Sequence, residues 1–276
     1  MKFVFIADFF ADEVLGGGEL NNEELINILI SSGYDVEKIK SQDVSASMIT
    51  DDKVYIVANF IGLNEMCKQR LHKAQYVIYE HDHKYLITRN PAYYKEFKAP
   101  KDHITNYEFY KNANSIICQS NFHAEIVRKN LEFNNIKSVG GNLWHEDTLN
   151  TIQEISSQDK NNRYSIMNSN IDHKNTKGAI DYCEKNNYNY ELINACAYEE
   201  FLVRLGSNAG FVFFPKTPET LSRIVVEARM MGLKVITNKL VGATKEEWFK
   251  YKGSELIDIM RRKRQQITNI VLSSYE

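Results

Sequence analysis

Four prolines in 276 residues leave no room for long Pro-rich linkers, and no apolar run approaches the roughly 20 residues of a membrane span. The four cysteines, Cys67, Cys118, Cys183 and Cys196, show neither CxxC spacing nor any paired pattern. Disulfides and thiolate metal sites are therefore not expected. Cys118 reads as a buried thiol, and the set suits a reducing, cytoplasmic compartment. A basic excess is also missing: 34 Lys+Arg stand against 36 Asp+Glu, for a formal net charge of −2. That balance speaks against a dedicated nucleic-acid binder. The opening MKFVFIADFF lacks the length and the small-residue cleavage site of a signal peptide and reads as a buried first strand. What is present, 43% hydrophobic and 25% charged residues, is ordinary globular composition, and the length suits two domains.

Strand-like runs at 2–9, 53–60, 75–80, 115–120 and 136–140 alternate with helical patterns in the first half. The second half repeats the order, with strands at 164–168, 190–194, 210–215 and 234–238 and helices at 176–186, 197–208 and 220–231. Apolar strands separated by helices imply parallel sheets covered on both faces, so an α/β protein with two doubly wound, Rossmann-like domains is expected. Residues 146–162 are polar, show no core pattern and suit a boundary. The expected domains are 1–147, 148–245 and a closing 246–276 whose helices pack back on the first domain. Thr244 and Glu247 match a capping box at a helix start. A further helix from Ser254 aligns Leu256, Met260, Ile267 and Val271. Arg261-Arg262-Lys263-Arg264 lies on it, either as a solvated face or as a peripheral contact with anionic lipid.

The segment 211–238, FVFFPKTPETLSRIVVEARMMGLKVITN, carries the most chemistry. A strand leads through a tight turn into a helix, at the strand end where open parallel sheets bind ligands. Amides near Thr220, Leu221 and Ser222, aided by the helix dipole, would form an anion site suited to a diphosphate. Glu219 and Glu227, eight residues apart, would be roughly 12 Å apart along a helix and turned to one side. Two acceptors flanking an anion cradle fit a nucleotide-sugar, which has hydroxyls at both ends of a diphosphate. A plainer reading makes Thr217-Pro218-Glu219 the capped start of a helix and Glu227 an exposed helical side chain.

This segment resembles the Glu-x7-Glu signature of retaining GT-B glycosyltransferases of family 4, matching at Pro215, Glu219, Thr220, Ser222, Glu227, Ala228 and Gly232, with Leu221 where Phe is common. The resemblance implies a GT-B fold whose two domains face across a cleft. It gives Glu219 the donor-sugar hydroxyls, Glu227 the ribose, and the backbone at Thr220–222 the distal phosphate. Lys177-Gly178 matches the family lysine that neutralises the diphosphate. The family arginine after the preceding strand is absent, with Asn168, Asn170 or Lys174 as candidate substitutes. Gly17 and Gly18, in the run Gly16-Gly17-Gly18-Glu19, resemble the N-terminal Gly-Gly loop that approaches the donor phosphate or acceptor. His81 and Asp82 match a His-Asp loop beside the reacting sugar. His81 and His83, alternating on an extended segment, would also suit a metal, but no HxHxDH or HExxH pattern accompanies them and none is expected.

The implied activity is metal-independent transfer of a sugar, with retention, from a UDP-, GDP- or ADP-linked donor to a saccharide, lipid-linked or other acceptor, without a separate cofactor. A non-catalytic nucleotide-sugar binder, a sugar-nucleotide epimerase and a hydrolase built on His81 and His83 are the alternatives.

Overall fold

A computed structural model describes residues 2–276. Contacts within the chain divide it into unit 1, which runs through Leu143 and resumes at Lys263–Glu276, and unit 2, Trp144–Arg262.

Unit 1 is a six-stranded parallel sheet of β1 (Lys2–Ala7), β2 (Asp35–Lys40), β3 (Lys53–Val57), β4 (Gln75–Glu80), β5 (Ser115–Cys118) and β6 (Ile136–Ser138), in the order β2-β1-β3-β4-β5-β6. Its helices are α1 (Gly17–Ser31), α2 (Glu65–Leu71), α3 (Tyr107–Lys111) and α4 (Asn121–Leu131). Strand period two sorts β1 cleanly. Val4 and Ile6 join one apolar layer with Tyr55, Ile78, Tyr110 and Val127. Phe3, Phe5 and Ala7 join the other, with Leu25 and Leu29 of α1. Both faces are covered, which is why the central strands read as continuous apolar runs. At the edge, β2 reads DVEKIK and carries charges, among them Lys38 paired to Glu23 at 3.0 Å. Edge strands tolerate and use such residues.

Unit 2 contains α5 (Glu146–Ser156), β7 (Asn161–Met167), α6 (Thr176–Lys185), β8 (Tyr190–Ile193), α7 (Tyr198–Gly206), β9 (Asn208–Phe213), α8 (Arg223–Met230) and β10 (Lys234–Thr237), with the parallel sheet ordered β10-β9-β7-β8. The final helix, α9 (Ser254–Leu272), begins in unit 2 and ends in unit 1. Leu256 and Met260 enter the core of unit 2, while Ile267 and Val271 enter that of unit 1. The α/β fold with two parallel-sheet units agrees with the reading of the sequence.

Three local expectations are corrected. The polar segment 146–162 does carry a core stripe: Leu149, Ile152 and Ile155 lie buried on α5. The capping-box helix after Thr244 is replaced by two 3-10 turns, Gly242–Lys245 and Glu247–Lys250, separated by extended Glu246. Gly242 and Ala243 donate their amides to the carbonyls of Glu219 and Leu221, which commits that backbone to a ladder-like contact. The basic run is not an open cationic face. Arg261 pairs with Glu146 at 2.6 Å, Lys263 donates to the Val139 carbonyl at 2.9 Å, and Arg264 pairs with Glu24 at 2.6 Å. Only Arg262 of the four is exposed. Among the described residues no helix is long and apolar enough to cross a membrane.

Candidate functional site

In unit 2 the strand order reverses between β7 and β9, and a doubly wound sheet binds ligands beyond the strand ends at such a switch point. The loops leaving β7 and β9 meet there. Asn175 caps α6 from a left-handed conformation (φ 57°) and donates its side-chain amide to the Phe214 carbonyl at 2.8 Å. Lys216 donates its backbone amide to the His173 carbonyl at 2.8 Å and its ammonium to Asp172 at 2.6 Å. These crossings bring Lys174 against Glu219, Nζ to Oε1 at 2.8 Å, with both side chains mostly buried. Lys174, one of the three substitutes weighed for the absent arginine, therefore lies beside a predicted sugar-binding carboxylate.

Lys177 lies in the first turn of α6. Its side chain is 85% exposed and pairs with Asp181 at 3.0 Å. It lines a depression of about 380 Å³ with Ser169, Asn175, Thr176 and Lys216.

Glu219 is not part of a helix. It forms a parallel bridge with Val241, donates its amide to the Leu240 carbonyl at 2.8 Å, and precedes α8 by four residues. The 12 Å helical spacing expected for Glu219 and Glu227 therefore does not apply. Between them, the amides of Leu221 and Ser222 have no acceptor among the described residues. Ser222 starts α8 with φ 74°, a left-handed conformation that favours glycine, and its Oγ is enclosed without a partner. Replacing Ser222 by glycine is expected to stabilise unit 2 by about 1 kcal/mol, because it removes both the backbone strain and the unsatisfied hydroxyl. Denaturant unfolding followed by tryptophan emission reads this directly.

Glu227 is 2% exposed, not the solvent-facing helical glutamate of the plainer reading. Its Oε1 accepts from the Trp144 indole N–H at 2.9 Å, from Arg223 Nε at 2.9 Å and from the Tyr198 hydroxyl. The Arg223 guanidinium lies 4.5 Å from the Trp144 ring centroid. Arg223, one helical turn before Glu227, is the only one of these partners with a local signal in the sequence. Burial and the Glu227 charge push the Tyr198 phenol well above its ordinary range, so it is a neutral donor.

Unit 1 gathers His81, Asp82 and Gly18 where β4 ends. A Cβ on Gly18 would come 3.4 Å from His81 Cγ, so glycine permits the imidazole to lie against the first turn of α1, where Gly17 also sits. His81 Nε2 meets Asn22 Oδ1, and burial with the Lys84 charge pushes His81 down to about 3. The ring is neutral near pH 7. Glu19 folds back over Gly16 and accepts from Asn59 at 3.2 Å, so the chain already places a carboxylate at the α1 N-terminus.

Asp82 has both oxygens on cations: Oδ1 on Lys84 and Oδ2 on Arg89, whose Nε lies at 3.1 Å. Burial opposes its charge, but the two cations prevail and hold the carboxyl well below its usual range. Lys84 is itself buried, 2.9 Å from fully buried Glu80, which also accepts from Tyr110. His123 takes the Gln119 amide on Nδ1 at 3.2 Å and donates from Nε2 to the Asp82 carbonyl at 3.3 Å. His83 bonds Tyr85 through Nδ1 at 2.9 Å, and its Nε2 is enclosed without a partner. Among the described residues no three His, Cys, Asp or Glu side chains gather as a metal site. Lys84 and Arg89 lie only two and seven positions beyond Asp82 but belong to no motif, and Asn22 reaches His81 from 59 positions away, which only folding accomplishes.

No protein-family model and no curated protein sequence matches the chain. Solved structures do match. Anabaena HepE in complex with UDP-glucose aligns over 100% of this chain and 92% of its own, with a TM-score of 0.57 and 13% identity. The same protein in complex with UDP gives a TM-score of 0.55 and 12% identity, covering 100% of this chain and 96% of that one. An alpha-glucosyltransferase in complex with UDP and a 13-mer DNA gives 0.55 and 11%, covering 99% and 92%. At these identities the likeness is one of fold, and the chain has the two-unit parallel α/β fold of GT-B proteins.

Proposed function

We propose that the chain transfers a sugar from a nucleoside-diphosphate sugar to an acceptor. The observation that carries this reading is the switch point of unit 2, where Lys174 and Glu219 meet beside the unpartnered amides that open α8. In this reading Lys174 and the amides of Leu221 and Ser222 meet the diphosphate, the two carboxylates meet hydroxyls, and Lys177 and Lys216, which pair with Asp181 and Asp172 in the unliganded chain, add positive charge at the same sheet end. UDP in both neighbours favours a UDP-linked donor over GDP or ADP.

In this reading Glu219 exchanges Lys174 for the hydroxyls of the donor sugar, which frees the ammonium for the diphosphate. Cations and amides already in place stabilise the charge that develops as the glycosidic bond breaks, so no metal is invoked. The acceptor proton passes to the departing phosphate oxygen. Asp82, saturated by two cations, is a poor base, and neutral His81 orients a hydroxyl instead of titrating. Retention of configuration follows the Glu-x7-Glu resemblance. A DNA acceptor, present with one neighbour, is not part of the reading: net charge is −2, and three of the four cations in the basic run are consumed internally.

Lys174→Met is expected to weaken UDP binding about tenfold, the scale of one charge-assisted hydrogen bond, as measured by calorimetry. UDP at millimolar concentration that neither binds nor raises the melting temperature of the wild-type chain would overturn the proposal. The pairing of Lys177 with Asp181 favours, as a second reading, a binder without transfer. UDP binding without UDP release from any UDP-sugar, with or without candidate acceptors, selects it.

A further inference from the structure

Unit 1 holds a polar cluster where β4 and β5 end against α1, and three side-chain amides in it have one end unmet. Tyr79 accepts from Asn21 Nδ2 at 2.8 Å, and the Gln119 side chain also bonds its phenol. Asn21 Oδ1 takes the Leu143 amide at 2.7 Å, and the Gln119 carbonyl takes the Gly141 amide at 2.8 Å. The turn through residues 139–143 is thereby drawn against both elements. His81 closes the group, with Nε2 on Asn22 Oδ1 and its ring 5.0 Å from that of Tyr79. Among these residues Asn22 Nδ2, Gln119 Oε1 and Asn142 Oδ1 are enclosed without a partner. Asn22, Gln119 and Asn142 are only 0%, 2% and 6% exposed, so water at the surface does not serve them. Buried polar groups normally find partners, and each one left alone costs stability.

The unmet atoms define what they can take. Asn22 offers a donor, while Gln119 and Asn142 offer acceptors. A phosphate or carboxylate oxygen only accepts, and an ammonium only donates. A hydroxyl does both. Charge points the same way. Glu19 already places a carboxylate at the start of α1, and Lys84 and Arg89 are held by Glu80 and Asp82. The charges nearest the cluster are therefore matched within the fold, and the amides themselves are neutral. The rim is accessible: Gly17 is exposed, and Gly18 and His81 are half-buried.

We infer that this cluster is a receptor for an uncharged sugar, whose hydroxyls enter by turning His81 off Asn22 and then pair with Asn22, Gln119 and Asn142. In the proposed transferase that sugar is the acceptor, a neutral saccharide and not a phosphate-bearing one; only this last step rests on the proposed function. Selectivity of this kind comes from buried polar groups that the wrong ligand leaves unpaired.

Saturation-transfer NMR on the full chain, with and without UDP, compares glucose, galactose and mannose with their 6-phosphates and 2-amino analogues. At least one neutral hexose is expected to bind with a millimolar dissociation constant, its charged counterparts about tenfold more weakly. Asn142→Leu and Asn22→Leu are each expected to weaken that hexose about tenfold, with circular dichroism establishing that both variants are folded. Asn142→Leu is also expected to raise the melting temperature by about 2–4 °C, because it removes an unmet buried oxygen. Affinity lost while stability rises marks a ligand group, whereas a structural amide would lose both. No hexose binding to the wild type, 6-phosphates that bind as well as the neutral sugars, or an affinity unchanged in either variant overturns the receptor. A melting temperature that falls in Asn142→Leu overturns the role given to that residue. UDP that fails to bind while a hexose does removes the proposed function and leaves the receptor standing.

Discussion

Lys84→Met is expected to destabilise unit 1 by about 3–5 kcal/mol, the cost of leaving a buried charge without its partner. Lys84 and Glu80 have side chains only 2% and 0% exposed, and the ammonium also holds Asp82 while lying 5.6 Å from the Phe60 ring. Burial alone would push Lys84 down, but Glu80 and Asp82 raise it above its ordinary value, so it stays charged. Without it, Asp82 retains Arg89, whereas Glu80 keeps only neutral donors, the Tyr110 hydroxyl and the Asp82 backbone amide at 3.0 Å, beside the Asp82 negative charge. Burial already raises the Glu80 carboxyl, and loss of Lys84 raises it further. A carboxyl raised in the folded state weakens stability as pH climbs above its unfolded value. The gap between variant and wild type should therefore widen from pH 5 to pH 8. Urea unfolding at the two pH values measures it, and a gap below about 1 kcal/mol at both would show that the pair contributes little. The double variant Glu80→Gln/Lys84→Met should recover much of the loss, since removing both charges removes the uncompensated one.

Acid should open unit 1 while unit 2 remains folded. His81 and His83 are held down to about 3 and about 4, chiefly by burial, and His123 well below its ordinary value by burial and the adjacent His83. All three belong to unit 1. They are neutral when folded but take up protons on unfolding below about pH 6.5. Each fully titrating histidine then costs about 1.4 kcal/mol per pH unit, and the loss stops only once pH falls through the folded value. For His83 alone the window from 6.5 to 4 amounts to about 3 kcal/mol. With His81 and His123 acting in the same direction, the loss reaches the scale of the usual margin of a domain. The histidines of unit 2, His145 and His173, are exposed. Both tryptophans, Trp144 and Trp248, lie in unit 2, so the optical readout separates the units. Far-UV circular dichroism should fall between pH 6 and 4 before tryptophan emission shifts. Coincident transitions would contradict the assignment.

Much of the scaffold was legible because buried parallel strands announce themselves. Phe3–Ile6, Tyr76–Tyr79 and Phe211–Phe213 are nearly solvent-free, and their shortness and β-branched and aromatic content favour buried strands over helix. Two helix ends follow from residue type alone: Asn64 caps α2 by accepting from the Cys67 amide at 2.9 Å, and Gly33 takes φ 86° after α1. The edge strand β2 was not legible, because DVEKIK buries almost nothing and owes its form to pairing with β1. The start of α8 was misplaced because a parallel bridge from Glu219 to Val241 outbids the local preference for helix after Pro218. The same limit governs the candidate site. Glu219 and Glu227 stand out by spacing, but their partners do not. Lys174 reaches Glu219 across 45 positions, and Trp144 reaches Glu227 across 83. Such encounters depend on strand order, which no local pattern encodes.

The return of residues 263–276 to unit 1 has a consequence for biosynthesis. Tyr275 is 8% exposed, packs edge-on against Phe3 and donates its hydroxyl to the Tyr55 carbonyl at 2.7 Å. The first unit to emerge from the ribosome therefore lacks part of its own core until the whole of unit 2 has been made. Domains ordinarily mature in the order of their synthesis. Here the later-born unit can be finished first, and the earlier one waits, open on the face that α9 will cover, as a natural client for a chaperone.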